Sequence, residues 1–351
     1  MTTLSISATV CDMASRPTLK DVADQAGVSF KTVSRVVNDE PGVSPAMAER
    51  VRRAVADLGY RRNRSAQVLR RADTRLQTVA IVHADGTNPF AAAVHAAFER
   101  HLRTEADTLV VSASSHEDPD EHDRLVDLFT ERQVDGLAVV PVGDAPGPAL
   151  QRELDRRTPI VFIDREPGVD ADLVASDHHG GARAATQHLL AHGHQRIAFL
   201  GSREQSESIR QRHAGFVDAM TEAGGEPVVR LGLTSPELAD EAVTELLAQA
   251  DAPTALFAAQ NLAAVGAVRA LHRLGHQHAV ALVAFDHLEI ADLVEPAITT
   301  APQNAGALGR TAAELLLRRI DGDTSAPTRI VVPVDLVPRG SGELAPPSPT
   351  P

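Results

Sequence analysis

Residues 19–38 read LKDVADQAGVSFKTVSRVVN, two short amphipathic stretches separated by one glycine. Thr18 stands where a helix N-cap is expected, with Asp21 three positions on as its capping-box partner, and Leu19, Val22, Ala23 and Ala26 share one face. Gly27 ends that helix. Ser29 caps a second helix whose buried side is Val33, Val36 and Val37, and Ala23 is small enough to let the two cross closely. Ser44 followed by Pro45 opens a third helix that stops at Gly59. The spacing predicts a helix-turn-helix inside a three-helix bundle over 17–62. It leaves Ser29, Phe30, Lys31, Thr32, Ser34, Arg35 and Asn38 on the open side of the second helix. Arg and Lys donate to guanine O6 and N7, while Ser, Thr and Asn reach phosphates or base edges, so such a face suits a DNA major groove. The alternative is an ordinary helical hairpin with a solvated polar face.

Charge favours the first reading. The 351 residues carry 34 basic and 47 acidic side chains, a net of −13. Residues 1–71 alone hold 12 basic and 7 acidic ones, net +5, and include both lysines, Lys20 and Lys31; the remainder carries −18. Phosphate neutralisation is a local matter of cations on one face, so polyanion binding belongs to this head. Cys11 is the single cysteine, which excludes an internal disulfide and a Cys-based metal site. No apolar run approaches the length of a membrane span, and the first residues lack the pattern of a signal peptide. A cytoplasmic protein is expected.

Residues 1–16 read as a disordered leader. Within 63–75, a hinge and linker, Asn63 to Arg71 can form one more helix, too short to be stable in water without a partner. From residue 76 short apolar runs alternate with amphipathic stretches. The runs are Thr78–His83, Thr108–Ser112, Gly136–Pro141, Ile160–Asp164, Arg196–Gly201, Ala255–Ala259 and Val280–Asp286. The helical stretches include Pro89–Arg103, Asp120–Arg132, Gly180–His192, Ile209–Ala223 and Asn261–Leu274. This alternation predicts an α/β body over 76–340 with two doubly wound parallel-sheet lobes, since the length exceeds one comfortable core. Residues 341–351, rich in Pro and Ser, read as a disordered tail.

In such sheets ligands bind at the carboxyl ends of the strands, in the crevice between lobes. That rule selects Asp85 to Phe90, Asp164 and Arg165, the stretch Ser208 to Arg212, Gln260 and Asn261, and Phe285 and Asp286. Carboxylates, arginines and amides in reach of vicinal hydroxyls, with Phe90 and Phe285 stacking on an apolar sugar face, would make a polyol or sugar site. Each residue has a plainer reading too: Asp164 and Arg165 as a local ion pair, Arg212 as a surface charge, Asp286 as a helix cap. Catalytic patterns find no support. Asp177 to Gly181 could hold a phosphate but lacks the glycine-rich fingerprints and reads as a helix cap. His192 and His194 read as surface histidines, no Gly-x-Ser-x-Gly elbow occurs, and neither a metal nor a cofactor is expected.

From Thr18 to Asn38, on through Val43-Ser44 and Tyr60 to Asn63, and to Ala66-Gln67-Val68-Leu69, the sequence strongly resembles the LacI/GalR family of bacterial transcriptional regulators, and the resemblance runs to about Gly340. It implies a periplasmic-binding-protein-like body. It assigns base reading to Phe30, Lys31 and Arg35, with Lys31 tuning operator choice, and phosphate contacts to Thr18, Ser29, Thr32, Ser34 and Asn38. Asn63, Gln67 and Leu69 fall in the linker helix, which in the family pairs with its partner protomer's in the minor groove and wedges a leucine, here Leu69, between base pairs. A homodimer on a palindromic operator is implied. In the body, Asn88-Pro89-Phe90 matches the family's first-strand loop, Arg212 its effector-binding arginine and Asp286 its effector-binding acid. Gln260-Asn261 departs from the Asn-Asp pair common there. The expectation is a DNA-binding regulator, by default a repressor, controlled by a sugar-like small molecule. The rival is a sugar-binding or sugar- or nucleotide-modifying protein with an appended DNA-binding head.

Overall fold

The computed structural model describes residues 17–37, 40–60, 77–105, 108–166 and 168–347. The chain divides into two compact units, 1–76 and 77–351.

In the first unit, α1 (Leu19–Ala26), α2 (Phe30–Val37) and α3 (Pro45–Leu58) enclose Val22, Ala23, Ala26, Val33, Val36, Val51 and Ala54. Local chemistry fixes the three helix starts and the end of α1. The Asp21 carboxylate accepts from Thr18 N–H at 2.7 Å while Thr18 Oγ1 accepts from Asp21 N–H, a complete capping box. The Thr18 hydroxyl and then its N–H, both donating to the Asp21 carboxylate, hold that carboxyl below its usual range. Ser29 Oγ accepts from Thr32 N–H at 3.2 Å, and Ser44 Oγ from Met47 N–H at 3.4 Å. Gly27 ends α1 in the left-handed conformation at φ 61°, where a Cβ would run into the Arg50 guanidinium. Arg50 needs that space, because its Nη2 donates to Ala26 O at 2.5 Å and so ties α3 to the end of α1.

The second unit has two parallel sheets. The first lobe contains β1 (Thr78–His83), β2 (Leu109–Ser114), β3 (Gly136–Val139), β4 (Ile160–Ile163), β5 (Leu173–Ser176) and β11 (Arg329–Val332), ordered β11-β5-β4-β3-β1-β2. The second lobe contains β6 (Arg196–Leu200), β7 (Glu226–Arg230), β8 (Ala255–Ala258), β9 (Ala281–Phe285) and β10 (Thr299–Ala301), ordered β10-β9-β8-β6-β7. Central strands β3, β4, β8 and β9 are buried along their whole length, as strands covered on both faces by helices must be.

Helices α4 (Pro89–Glu105), α5 (Pro119–Glu131), α6 (Pro148–Asp155) and α11 (Ala305–Ile320) cover the first sheet, and α7 (His178–Ala191), α8 (Glu207–Glu222), α9 (Pro236–Leu247) and α10 (Asn261–Leu274) the second. The chain therefore passes between lobes three times: after β5, after β10 and after β11. Three helix pairs are held in backbone contact by a glycine. A Cβ at Gly309 would lie 2.3 Å from Val94 O, one at Gly215 2.2 Å from His179 O, and one at Gly266 2.3 Å from Pro236 O. Any larger residue there must force the helices apart.

The expectation of a disordered segment from 341 does not hold for 341–347. Ser341–Glu343 form a 3₁₀ turn on the second lobe. Glu343 accepts from His188 Nε2 at 2.5 Å and from Thr299 Oγ1 at 2.9 Å, and its carboxyl is held below its usual range although burial works the other way. His194 is a correction as well. It is fully buried, its Nε2 donates to Leu344 O at 2.8 Å, and its Nδ1 accepts from Thr254 Oγ1. Composition misled here because Ser and Pro are as useful in a docked strap as in a free tail.

Candidate functional site

In the first unit α2 presents Ser29, Phe30 and Lys31 as exposed residues and Thr32, Ser34 and Arg35 as half-buried ones, on the side opposite Val33 and Val36. Phe30 is 47% exposed, its ring open on the same side of the helix as Lys31. The hydroxyls of Ser29 and Thr32 lie 2.9 Å apart, and that of Thr18 donates to Asp21 at 2.7 Å, so these three side chains orient the helix starts. Asn38, Asn63, Gln67 and Leu69, with the proposed linker helix, lie outside the described residues.

In the second unit a cleft of about 600 Å³ opens between the lobes at the carboxyl ends of the strands. Phe90, Asp164, Arg165, Ser208, Arg212, Gln260 and Asp286 all line it. At its floor lies a buried network. The Arg212 guanidinium, 4% exposed, donates from Nη1 to Ala259 O at 2.6 Å and from Nε to His178 Nδ1 at 3.3 Å. Its Nη2 is 3.5 Å from Asp286 Oδ1, and its carbon sits 4.0 Å above the Phe285 ring. An arginine only donates, so His178 Nδ1 is the acceptor and the ring proton is on Nε2. That N–H points at Asp164 O, 2.9 Å away, and lies 3.2 Å from Asp164 Oδ1, which receives no hydrogen bond. Burial alone would raise the Asp164 carboxyl. His178, Arg212 and Arg165 more than offset it and hold Asp164 below the usual range.

Asp164 and Asp286 follow β4 and β9, and both take left-handed backbone conformations, φ 70° and 75°. Neither is a helix cap. Asp286 accepts from Gln303 Nε2. Arg165 does not pair with Asp164; it forms a two-pronged ion pair with Glu117, at 2.7 and 2.9 Å. The lobes meet across the cleft where Asn261 Nδ2 donates to Asn88 Oδ1 at 2.9 Å, the same oxygen that caps α4 by accepting from Phe90 N–H. Gln260 Nε2 donates to Leu233 O at 2.9 Å.

His83, at the end of β1, also lines the cleft, and burial with His95 beside it pushes it down to about 4 from 6.5. The unfolded chain therefore takes up a proton between pH 6.5 and 4 that the folded one refuses, so stability is complete above this window and falls on acidification through it. The loss should total about 3 kcal/mol at most. Asp164 acts below the window, where its depressed value makes stability fall further as it protonates. Denaturant titrations at pH 7 and pH 4.5 should show a smaller difference for His83→Asn than for the parent chain; an equal difference would exclude His83 as the cause.

Residues 18–63 match the family described as bacterial regulatory proteins, lacI family, and residues 186–342 the periplasmic binding protein-like domain. The HTH-type transcriptional regulator CelR of Thermobifida fusca is 34% identical over 341 residues, which cover 93% of this chain and 98% of CelR. This chain belongs to the LacI family of transcriptional regulators. The HTH-type transcriptional regulator PtxS of Pseudomonas aeruginosa is 33% identical, covering 93% and 96% of the two chains. Among solved structures, the lac repressor dimer bound to operator and the anti-inducer ONPF superposes with a TM-score of 0.79 at 29% identity, over 94% of this chain and all of that one. The CelR–cellobiose complex gives 0.69 at 33% identity, over 93% of this chain and all of that one.

In this LacI-family regulator Phe285 departs from expectation. Its ring is fully buried, contacts Phe257 and His178, and supports the Arg212 guanidinium from below, so it does not face the cleft. Phe90 remains the aromatic wall. Cleft residues not singled out from the sequence include His83, Glu117, Arg203, Glu207 and Gln303, and the sequence reading gave His178, in the network beneath the floor, no part in this site. Among the described residues no helix is long and apolar enough to cross a membrane, and no group of three or more His, Cys, Asp or Glu is placed to hold a metal ion.

Proposed function

We propose that this LacI-family regulator is a cytoplasmic repressor that binds a palindromic operator as a homodimer and changes its affinity when a sugar-like effector occupies the cleft. The observation that carries the reading is that one cleft draws on both lobes, Phe90, Asp164 and Arg165 from the first and Ser208, Arg212, Gln260 and Asp286 from the second. A ligand touching both sides stabilises one lobe arrangement over the other, which an effector must do to shift an equilibrium. The cellobiose complex of CelR, a relative of similar length, supports a carbohydrate. The lac repressor dimer on its operator supports two protomers on a symmetric site.

On this reading Phe30, Lys31 and Arg35 read bases, while Thr18, Ser29, Thr32, Ser34 and Asn38, with Asn63, Gln67 and Leu69 of the linker, hold and bend the duplex. The cleft binds and does not turn over: Arg165 is committed to Glu117 and Arg212 to Asp286, His178 and Ala259 O, with no nucleophile and base facing a common point. A turnover assay with sugars and nucleotides should therefore return unchanged substrate.

The test is selection of a symmetric duplex from a random pool, followed by salt-dependent binding of that duplex. Arg35→Ala should weaken binding to the selected site by about 1–3 kcal/mol and relax preference at the bases it contacts. Selection that returns no two-fold symmetric sequence, or unaltered selectivity in Arg35→Ala, would overturn the proposal.

A further inference from the structure

The charge of the cleft narrows its ligand further, on the reading that this cleft is the effector site. The half-buried Arg165 and the buried Arg212 are each already paired with a carboxylate. Arg165 is held by both oxygens of Glu117, at 2.7 and 2.9 Å, and Arg212 lies 3.5 Å from Asp286. Asp85 and Glu207 also line the cleft, whereas its remaining lining arginine, Arg203, is exposed to solvent. Carboxylates outnumber guanidiniums, so an incoming anion meets repulsion and finds no inward guanidinium that lacks a carboxylate.

The cleft also contains buried polar atoms whose hydrogen-bonding capacity is not filled. Gln303 Oε1 has no hydrogen-bond partner in the protein, Asp164 Oδ1 has only the His178 N–H 3.2 Å away, and on the donor side Arg165 Nε is unpaired. A hydroxyl serves both kinds of atom, donating to the oxygens and accepting from Nε, whereas a carboxylate or phosphate oxygen only accepts.

The backbone that presents Glu117 is itself costly. His116 and Glu117 are consecutive non-glycine residues in left-handed conformations, φ 53° and 61°, fixed by Glu117 N–H donating to Ala84 O at 2.7 Å. Strain of this kind persists where the surroundings require it, and here it delivers a carboxylate to Arg165.

We propose that the cleft is built for an uncharged, polyhydroxylated ligand and that Glu117, by occupying Arg165, is the residue that keeps carboxylated and phosphorylated sugars out. Calorimetric titration of the full chain tests this with neutral mono- and disaccharides, cellobiose and glucose among them, each matched to its aldonic acid and 6-phosphate. At least one neutral sugar should bind, and its matched anions about tenfold more weakly or worse. Glu117→Gln frees the guanidinium and should raise the anion-to-neutral affinity ratio about tenfold, whereas Glu117→Asp, which keeps the charge, should restore the preference. Glu117→Ser serves in place of Glu117→Gln if that variant does not fold.

Binding of an acid or phosphate as tightly as its neutral parent, a panel with no neutral binder, or an unchanged ratio on freeing Arg165 would each overturn the proposal. A charged compound that shifts operator affinity would leave the regulator reading standing and remove only this refinement.

Discussion

Arg212→Ala is expected to lower the stability of the body by about 3–5 kcal/mol and to make operator binding indifferent to every compound that shifts the parent chain. The substitution removes the only cation beside Asp286 among the described residues, and it leaves His178 Nδ1 and Ala259 O without their donors. A buried carboxylate stripped of its partner is costly, and two unfilled acceptors add to it. For a unit of this size the melting temperature should drop by roughly 2–4 °C per kcal/mol. Arg212→Lys should recover part of the stability, because its ammonium can approach Asp286, but not the response, because one point charge cannot serve His178, Ala259 and Asp286 together. Calorimetry on the three chains, with operator titrations run alongside, checks both halves. Unaltered melting in Arg212→Ala would show that the network carries no stabilising energy.

Phe285→Ala should be comparably severe, at about 3–5 kcal/mol, for the ordinary reason that a fully buried ring leaves a cavity. The informative variant is Phe285→Leu. It keeps most of the volume under the Arg212 guanidinium but loses the ring face 4.0 Å below it. If Phe285 supports the arginine and does not stack on a ligand, Leu should cost little stability and weaken effector response modestly. Phe90→Leu, on the aromatic wall that faces the cleft, should weaken response more. Denaturant unfolding, paired with effector titration of operator complexes, separates the two roles. A Phe285→Leu chain that is fully stable but wholly unresponsive would return the residue to the ligand.

Where the sequence was informative, the reason is physical. The head was legible because each helix boundary depends on residues next to it: Thr18 with Asp21, Gly27, Ser29, Ser44 with Pro45, Gly59. The central strands were legible because burial on both faces demands unbroken apolar runs such as those of β1, β8 and β9. Four strands escaped. β5 follows β4 with no helix between them, so it breaks the alternation. β7 and β11 are edge strands carrying charged residues, and β10 is only three residues, Thr299–Ala301.

The gaps in the site follow from the gaps in the sheets. His178 comes two residues after β5, Gln303 two residues after β10, and Glu117 just past β2, which runs to Ser114 and not to Ser112 as the sequence suggested. The strand-end rule was sound, but it was applied to an incomplete set of strands. Phe285 was misplaced for a different cause. Residues at a strand's last position alternate between facing the crevice and facing the covering helix, and periodicity inside a fully apolar run cannot say which.

The order in which the chain crosses between lobes bears on its biogenesis. The first sheet receives its outermost strand from 329–332, and the second lobe receives the turn that engages His188 and Thr299 from 341–343. Neither half of the body can close while the ribosome still holds that stretch, whereas the helical head needs nothing beyond its own residues. A nascent regulator of this design acquires its duplex-facing module first and its sensing module last. Stalled or prematurely terminated synthesis would then release heads with no functioning sensor attached.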